Sequence, residues 1–303
     1  MHSRVSKLLI FIGICVGAAS ALQFDAPKGE ASFGFLKLSL SPRSAALGGA
    51  GSALVDGIVD ADLNPAAAIR DSGGIAAGQA YLNATSGRGD FASWNIPVEN
   101  YRVTVQIRYL GYDNLSGFDG LDRSTAGYGA HSLKLQLGTA GSLFGFNYGV
   151  STSFAQNNIA DATYGAGLLN MGLQRQLPKG FSAGLSLMNA DYWTSKAQDG
   201  SAIIAPTILQ GGLSYSRSLP ASILMSVALD ARKRNDEDIA FPMGVEACWQ
   251  NILSVRVGYP IAQQEASPTF GVGLNWSRYG FEYAYQGNAV TSTTQMWALE
   301  IRY

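Results

Sequence analysis

Large apolar residues recur at every second position along most of the chain. Phe270, Val272, Leu274 and Trp276 alternate with Gly271, Gly273, Asn275 and Ser277. After a turn at Arg278 to Gly280 the rhythm resumes, with Phe281, Tyr283 and Tyr285 against Glu282, Ala284 and Gln286. Tyr101 to Tyr109, Leu133 to Leu137, Phe144 to Val150, Phe181 to Leu187, Ile223 to Leu229, Phe241 to Trp249, Leu253 to Tyr259 and Trp297 to Tyr303 repeat it. Period two places alternate side chains on opposite faces of a strand. From Gly74 onward about fourteen such runs can be drawn. Their spans are 74–84, 91–97, 101–110, 128–138, 142–154, 163–176, 180–189, 206–217, 221–231, 241–249, 252–260, 268–277, 280–287 and 294–303.

The connections differ in length. Pro97 to Asn100, Thr139 to Gly141, Leu177 to Lys179, Ser218 to Pro220, Gln250 to Asn251 and Arg278 to Tyr279 are short. Gly111 to Gly127, Ala190 to Ala205 and Lys233 to Ala240 are longer and polar. Short turns on one rim and long loops on the other are the mark of a transmembrane antiparallel β-barrel. With an even strand number, both chain ends of the barrel fall on the short-turn rim.

Alternation alone does not say which face meets water, and a secreted β-sandwich would bury the Phe/Leu/Val set. Composition decides the preference. Only 14% of the residues are charged while 47% are hydrophobic, against roughly 25% charged in soluble domains. The second face is mostly Gly, Ser and Asn, too sparse to coat a soluble protein. The expected barrel is therefore apolar outside and polar inside. Its inward face should carry Arg102, Arg108, Lys134, Asp230, Glu246, Arg256, Glu282, Glu300 and Arg302. An aromatic end on an alternating last strand, Trp297, Leu299, Ile301 and Tyr303, reads as an insertion signal for barrel-assembly machinery. A net charge of -1 gives no case for nucleic acid.

The N-terminus breaks the rhythm. Arg4 and Lys7 precede an apolar Leu8 to Val16, and Ala19-Ser20-Ala21 ends residues 1–21 as a secretory signal peptide. Its removal takes Cys15, so Cys248 has no partner for an intrachain disulfide. Residues 22–73 are expected to form a hatch in or under the lumen, or else an extra wall hairpin. Within them Ala31 to Leu40 looks like a strand. "SPRSAALGGAG" reads as a short helix over Ser41 to Gly49, with Ser41 as N-cap, Pro42 as first helical residue and Gly48-Gly49 as stop. Arg43 in that helix needs a lumen carboxylate such as Glu246, Glu282 or Glu300, because an unpaired buried charge is costly.

"FLKLSLSPRSAALGGAGSALVDGIVDADLNPAA" resembles the N-terminal signature of the PorV/PorQ proteins, relatives of the FadL-type barrels, through Arg43, Gly48, Gly49, Asn64 and Pro65 among others. "MGVEACWQNILSVRVGY" and "FGVGLNW…YGFEYAY" are similar to later parts of that family. The resemblance implies a fourteen-stranded outer-membrane barrel with a hatch, serving type IX secretion through its components or cargo. FadL relatives instead pass hydrophobic molecules inward.

Candidate chemistry is thin. Among the residues after the signal, His131 stands alone and borders a strand, so neither a Ser-His-Asp set nor a histidine zinc site can be assembled. "GGAG" at Gly48 to Gly51 lacks the lysine of a phosphate loop. The lumen carboxylates fit an ion-paired lattice better than a catalytic pair, and no cofactor is implied. Asp230 to Asp238 reads as a solvated loop that meets lipopolysaccharide or a partner. Exposed Phe118, Tyr192 and Trp193 in the long loops suit a partner surface. Two functions follow: an accessory acting by protein contacts, or a channel for hydrophobic molecules. A channel should show an apolar lumen pocket or a kinked wall strand, and an accessory a sealed lumen.

Overall fold

The computed structural model describes residues 31–303 apart from 55, 71, 84–85, 119–122, 198–199, 263–265 and 288–292, with side chains at 113–114, 116, 118 and 124–126 also left aside. The signal-peptide segment 1–21 lies outside the described residues. Fourteen strands close an antiparallel barrel, each paired to its sequence neighbours, with the first and last joined. They are β1 Gly74–Leu82, β2 Gly87–Val98, β3 Tyr101–Phe118, β4 Ser124–Leu143, β5 Phe146–Ile159, β6 Ala162–Gln176, β7 Phe181–Thr194, β8 Ile208–Leu219, β9 Ile223–Arg234, β10 Phe241–Trp249, β11 Leu253–Ile261, β12 Thr269–Trp276, β13 Tyr279–Gln286 and β14 Thr294–Arg302.

The seam is made by β1 and β14, in register from Gly74↔Arg302 to Leu82↔Thr294. Tyr303 fastens it further, since its hydroxyl accepts from Trp94 Nε1 (2.7 Å) and donates to the Asn95 carbonyl (3.2 Å), both on β2. Most large apolar side chains of the wall face outward, while Phe91, Leu110 and Leu168 face the hatch. Trp276 is 80% exposed, Leu299 54% and Ile301 50%, while Ala298 and Glu300 beside them are buried. These outward side chains form a belt with nothing from the chain to cover it, the surface expected of strands that meet hydrocarbon.

Several strand boundaries depart from the sequence expectation. The turn expected at Thr139 to Gly141 falls at Phe144 and Gly145, both at positive φ; the Leu143↔Phe146 pair closes that hairpin. Apolar alternation on both sides hid it, and Phe144 is a turn residue, not a wall residue. Most of the expected loop Gly111 to Gly127 is strand, because β3 and β4 climb far above their neighbours. β7 runs on to Thr194, so Tyr192 and Trp193 belong to the wall. On the long-loop rim, Ala160 and Asp161 alone connect β5 to β6, so the asymmetry of the rims is incomplete.

Residues 31–73 fill the lumen. The strand expected at Ala31 to Leu40 is absent; the segment holds a 3₁₀ turn at Gly34–Lys37 after Phe33 in the left-handed region (φ 57°). A closed barrel offers no free edge for a fifteenth strand. The backbone is satisfied by wall side chains instead: Arg108 donates to the Phe35 and Leu38 carbonyls (2.8 and 2.9 Å), and Arg234 to that of Lys37 (3.2 Å). The following helix, α1 Pro42–Ala46, is capped by the Ser41 hydroxyl, which accepts from the Ser44 amide (3.1 Å). Gly48 and Gly49 end it at positive φ.

Inward glycines make the close fit possible. A Cβ on Gly149 or Gly172 would strike Asn64-Pro65-Ala66, one on Gly184 the Ser52 backbone, and one on Gly244 or Gly258 Leu47. The small inward set that could not coat a soluble protein thus lets hatch backbone lie directly on wall backbone.

Candidate functional site: the filled lumen

The hatch threads the barrel from rim to rim. Near the long-loop end the Ser32 amide donates to the Ile204 carbonyl (2.9 Å) and Lys37 Nζ reaches Asp236 (2.6 Å) and Glu237 (2.9 Å). At the other end the Tyr303 amide donates to the Gly73 carbonyl (3.3 Å) beside the start of β1. Three layers lie between.

The layer under the long loops is apolar. Phe33, Phe35 and Leu36 of the hatch pack with Leu110 of β3, Leu168 of β6, and Ile203 and Ala205 of the β7–β8 connection. Ile203 was expected on an exposed loop; it is buried because that connection folds inward over the hatch. Of Asp230 to Asp238, expected as a solvated loop, Asp230 to Arg234 belong to β9, and Asn235 and Asp236 turn inward while Asp238 stays exposed. Asp236 is 1% exposed, and Arg234 and Lys37 converge on Glu237 (2.7 and 2.9 Å). Burial tends to raise the Glu237 pKa, but Arg234 and Lys37 outweigh it and hold it below the ordinary value.

The middle layer is a hydrogen-bonded lattice. Asp62 of the hatch accepts from Arg108 (2.6 Å) and Lys134 (3.1 Å). Asp230 accepts from the Gly51 and Ser52 amides (3.1 and 2.9 Å) and from Gln210 (2.6 Å). Asn64 donates to the Ser52 carbonyl (2.9 Å), and its Oδ1 accepts from the Ala66 amide (3.0 Å), which turns the chain at Pro65.

The layer at the short-turn rim is ionic. Arg43 donates from Nε and Nη2 to Glu246 (2.9 and 2.8 Å) and from Nη1 to Asp56 (2.5 Å). Arg256 bridges Glu246 (2.5 Å) and Glu282. Arg302 donates to Glu300 (2.5 Å) and Asn275 (2.9 Å), and Arg102, half-buried on β3, donates to the Tyr101 carbonyl (3.1 Å). A cavity of about 410 Å³ opens among these groups, lined also by Arg70, Asp60 and Cys248. Asp56, Glu246, Glu282 and Glu300 are held in ion pairs, and Asp60 accepts from the Ser41 hydroxyl (2.5 Å) and the Gly57 amide (2.8 Å). Among the described residues, no group of three or more His, Cys, Asp and Glu could hold a metal.

His131 faces outward near the long-loop rim, stacked on Tyr109 with ring centroids 6.3 Å apart. Cys248 is buried, with Sγ 3.9 Å from Asn251 Oδ1. Tyr192 and Trp193 stand on the outer wall, 65% and 51% exposed; Tyr192 meets Thr152 (3.2 Å) and Trp193 stacks on Phe154. Phe118 ends β3, and its side chain lies outside the described residues, as Leu121 does.

The wall beside the apolar layer is irregular, which no period in the sequence marked. Between Leu187↔Met171 and Trp193↔Gly167, β7 spends two residues more than β6, in two bulges. Asn189 adopts φ 57° there. β7 also leaves β8 after Met188↔Ile208, so its last six residues pair on one side only.

Closed, antiparallel, apolar outside and polar inside, the molecule belongs to the class of transmembrane β-barrels. Two solved structures share the architecture. One is "TodX monoaromatic hydrocarbon channel deltaS2 mutant", at TM-score 0.55 and 12% identity, matching 86% of this chain and 96% of that one. The other is a Pseudomonas aeruginosa FadL homologue, at TM-score 0.53 and 7% identity, matching 87% and 98%. No protein-family model matches the sequence, and no curated protein matches it.

Proposed function

We propose that the protein resides in the outer membrane of a Gram-negative bacterium, exported by its N-terminal signal, and passes small hydrophobic molecules passively, as a FadL-like channel. The observation that carries this reading is the polarity gradient along the lumen. An apolar cluster packed under the long loops gives way to a charged vestibule of about 410 Å³ at the short-turn rim. Apolar solutes concentrate in the first by leaving water; the second returns them to an aqueous space. The doubly bulged stretch of β7, paired on one side only beyond Met188, lies beside that cluster. Likeness in fold to a hydrocarbon channel supports the reading at the level of architecture.

A PorV/PorQ-like accessory of type IX secretion is the second reading. The hatch filling the lumen favours it, as do Tyr192 and Trp193 exposed on the wall. In that case secretion components or cargo are the partners. In either case lipids and lipopolysaccharide surround the barrel, and barrel-assembly machinery inserts it through the outward Trp297, Leu299, Ile301 and Tyr303.

Uptake of radiolabelled toluene by cells with intact lipopolysaccharide separates the two. The channel reading expects faster uptake on expression of the protein. Unchanged uptake, with loss of surface display of secreted cargo when Tyr192 and Trp193 are replaced by Ala, would establish the accessory instead.

A further inference from the structure

We propose that the protein holds one small inorganic anion, of chloride size, in a cavity at the joint of hatch and wall, between Lys134 of β4 and Arg232 and Arg234 of β9. The proposal does not depend on the channel reading and applies equally to an accessory.

The charge of the inner wall creates the need. Strand β9 turns Asp230, Arg232 and Arg234 into the lumen, where they are 1%, 8% and 8% exposed. Arg108 of β3 and Lys134 of β4 are each 4% exposed, and the hatch adds Lys37. Three carboxylates pair with these cations. Asp62 is shared by Arg108 (2.6 Å) and Lys134 (3.1 Å). Asp236 and Glu237 both take Lys37 (2.6 and 2.9 Å), and Glu237 also takes Arg234 (2.7 Å). Asp230 is a fourth, but its Oδ2 is occupied by the Gly51 and Ser52 amides and by Gln210. Five cations therefore face four carboxylates in this layer, one positive charge in excess. A buried charge without a counter-charge is costly.

Space and an unused donor occur at the same place. Lys134, Arg232 and Arg234 line a cavity of about 50 Å³, together with Asp62 and Gly49 of the hatch. Arg232 lies against Gly49, near enough for its Nη1 to strike a Cβ added there. Arg234 spends its terminal nitrogens on Glu237 (2.7 Å) and the Lys37 carbonyl (3.2 Å), while its Nε is buried with no hydrogen-bond partner in the protein. Native interiors rarely leave such atoms unpaired. A water would satisfy Nε and leave the excess charge; an anion answers both. The volume suits one such ion beside one water, whose share of liquid is about 30 Å³. That water can donate to Asn189 Oδ1, which also lines the cavity and is buried without a protein partner. A carboxylate with a hydrocarbon chain behind it does not fit this space, so the ion is a fixed part of the fold and not a transported solute. It ties the hatch to β4 and β9, elements far apart in sequence.

The test uses the full chain in detergent, unfolded by heat at constant ionic strength while gluconate is exchanged for chloride. The midpoint should rise saturably by several degrees, because a ligand bound by the folded state alone stabilises it. Bromide should substitute for chloride. Arg232→Met removes the excess charge, and its midpoint should no longer respond to chloride. Crystals soaked in bromide need no variant: an anomalous peak is expected among Lys134, Arg232 and Arg234. Equal midpoints of the native protein in chloride and gluconate, or a bromide-soaked crystal with no peak in the cavity, would overturn the proposal and leave the cavity to water. A chloride response that persists in Arg232→Met would overturn it too, by placing the ion elsewhere.

Discussion

At the scale of single residues, Arg43 shows how the lumen tolerates buried charge. It sits between Glu246 and Asp56, and Arg256 sits between Glu246 and Glu282. Glu246 is the shared anion, so its loss leaves two guanidinium groups with one partner each. Breaking a buried pair from one side costs about 3–5 kcal/mol. Glu246→Ala should therefore lower the unfolding midpoint of the folded barrel clearly, whereas Asp56→Ala, at the half-exposed edge of the cluster, should cost much less. Equal midpoints would mean that water screens the vestibule. Glu237 gives a pH dependence. Its pKa is held below the ordinary value, so the clamp it forms with Lys37 and Arg234 is intact above the usual carboxyl range, near 4.3. That contribution is lost as pH falls through the lowered folded value. A nitroxide attached at Ile239→Cys should gain mobility between pH 7 and pH 3; an unchanged spectrum would show that Glu237 does not hold the loop.

At the scale of elements, hatch and wall meet backbone to backbone. Gly184, Gly244 and Gly258 are where strands β7, β10 and β11 admit Ser52 and Leu47. A side chain at any of them leaves strand pairing intact, because each points into the lumen, but removes the seat of α1 or of the turn after it. Gly258→Val should leave a heat-modifiable barrel whose residues 41–54 become accessible to protease. A protein that fails to form the barrel at all would show that the hatch is needed for closure. The helix is too short to persist alone; Ser41, Pro42 and Gly48 shape it, and burial against β12 and β13 keeps it.

At the scale of the whole molecule, the outer belt and the filled lumen make separate claims. The belt predicts that Leu299→Arg destabilises the barrel in lipid by about 2–4 kcal/mol, the cost of a cation near the bilayer midplane. Equilibrium unfolding in vesicles measures it, and a value near zero would place Leu299 at the interface. The filled lumen predicts that deleting residues 31–70 raises single-channel conductance in planar bilayers, since a fourteen-strand wall with nothing inside encloses a water-filled channel. Unchanged conductance would mean that the wall collapses inward when the hatch is gone.

The sequence by itself determined the barrel. Period two within the strands leaves most of them one way to face once hydrocarbon is the solvent, and antiparallel neighbours joined by tight turns have little freedom in their order. It also determined the helix at Ser41 to Gly49, because capping is local chemistry, and it required a carboxylate for Arg43, because buried charge must be paired. Tertiary structure decided which one. Glu246, Glu282 and Glu300 share a parity, and only the height of α1 within the lumen selects Glu246. The same holds for Phe33 to Leu40, whose alternation resembles a wall strand but which lies in a closed cylinder with no edge to join. It holds too for Ile203 and Asp236, in two separate loops that the fold turns inward. The bulges of β7 have no local signal, since an extra residue changes parity only relative to a partner strand. Long-range contacts between residues 31–73 and the wall decide what the lumen contains, and the period of a strand carries no information about them.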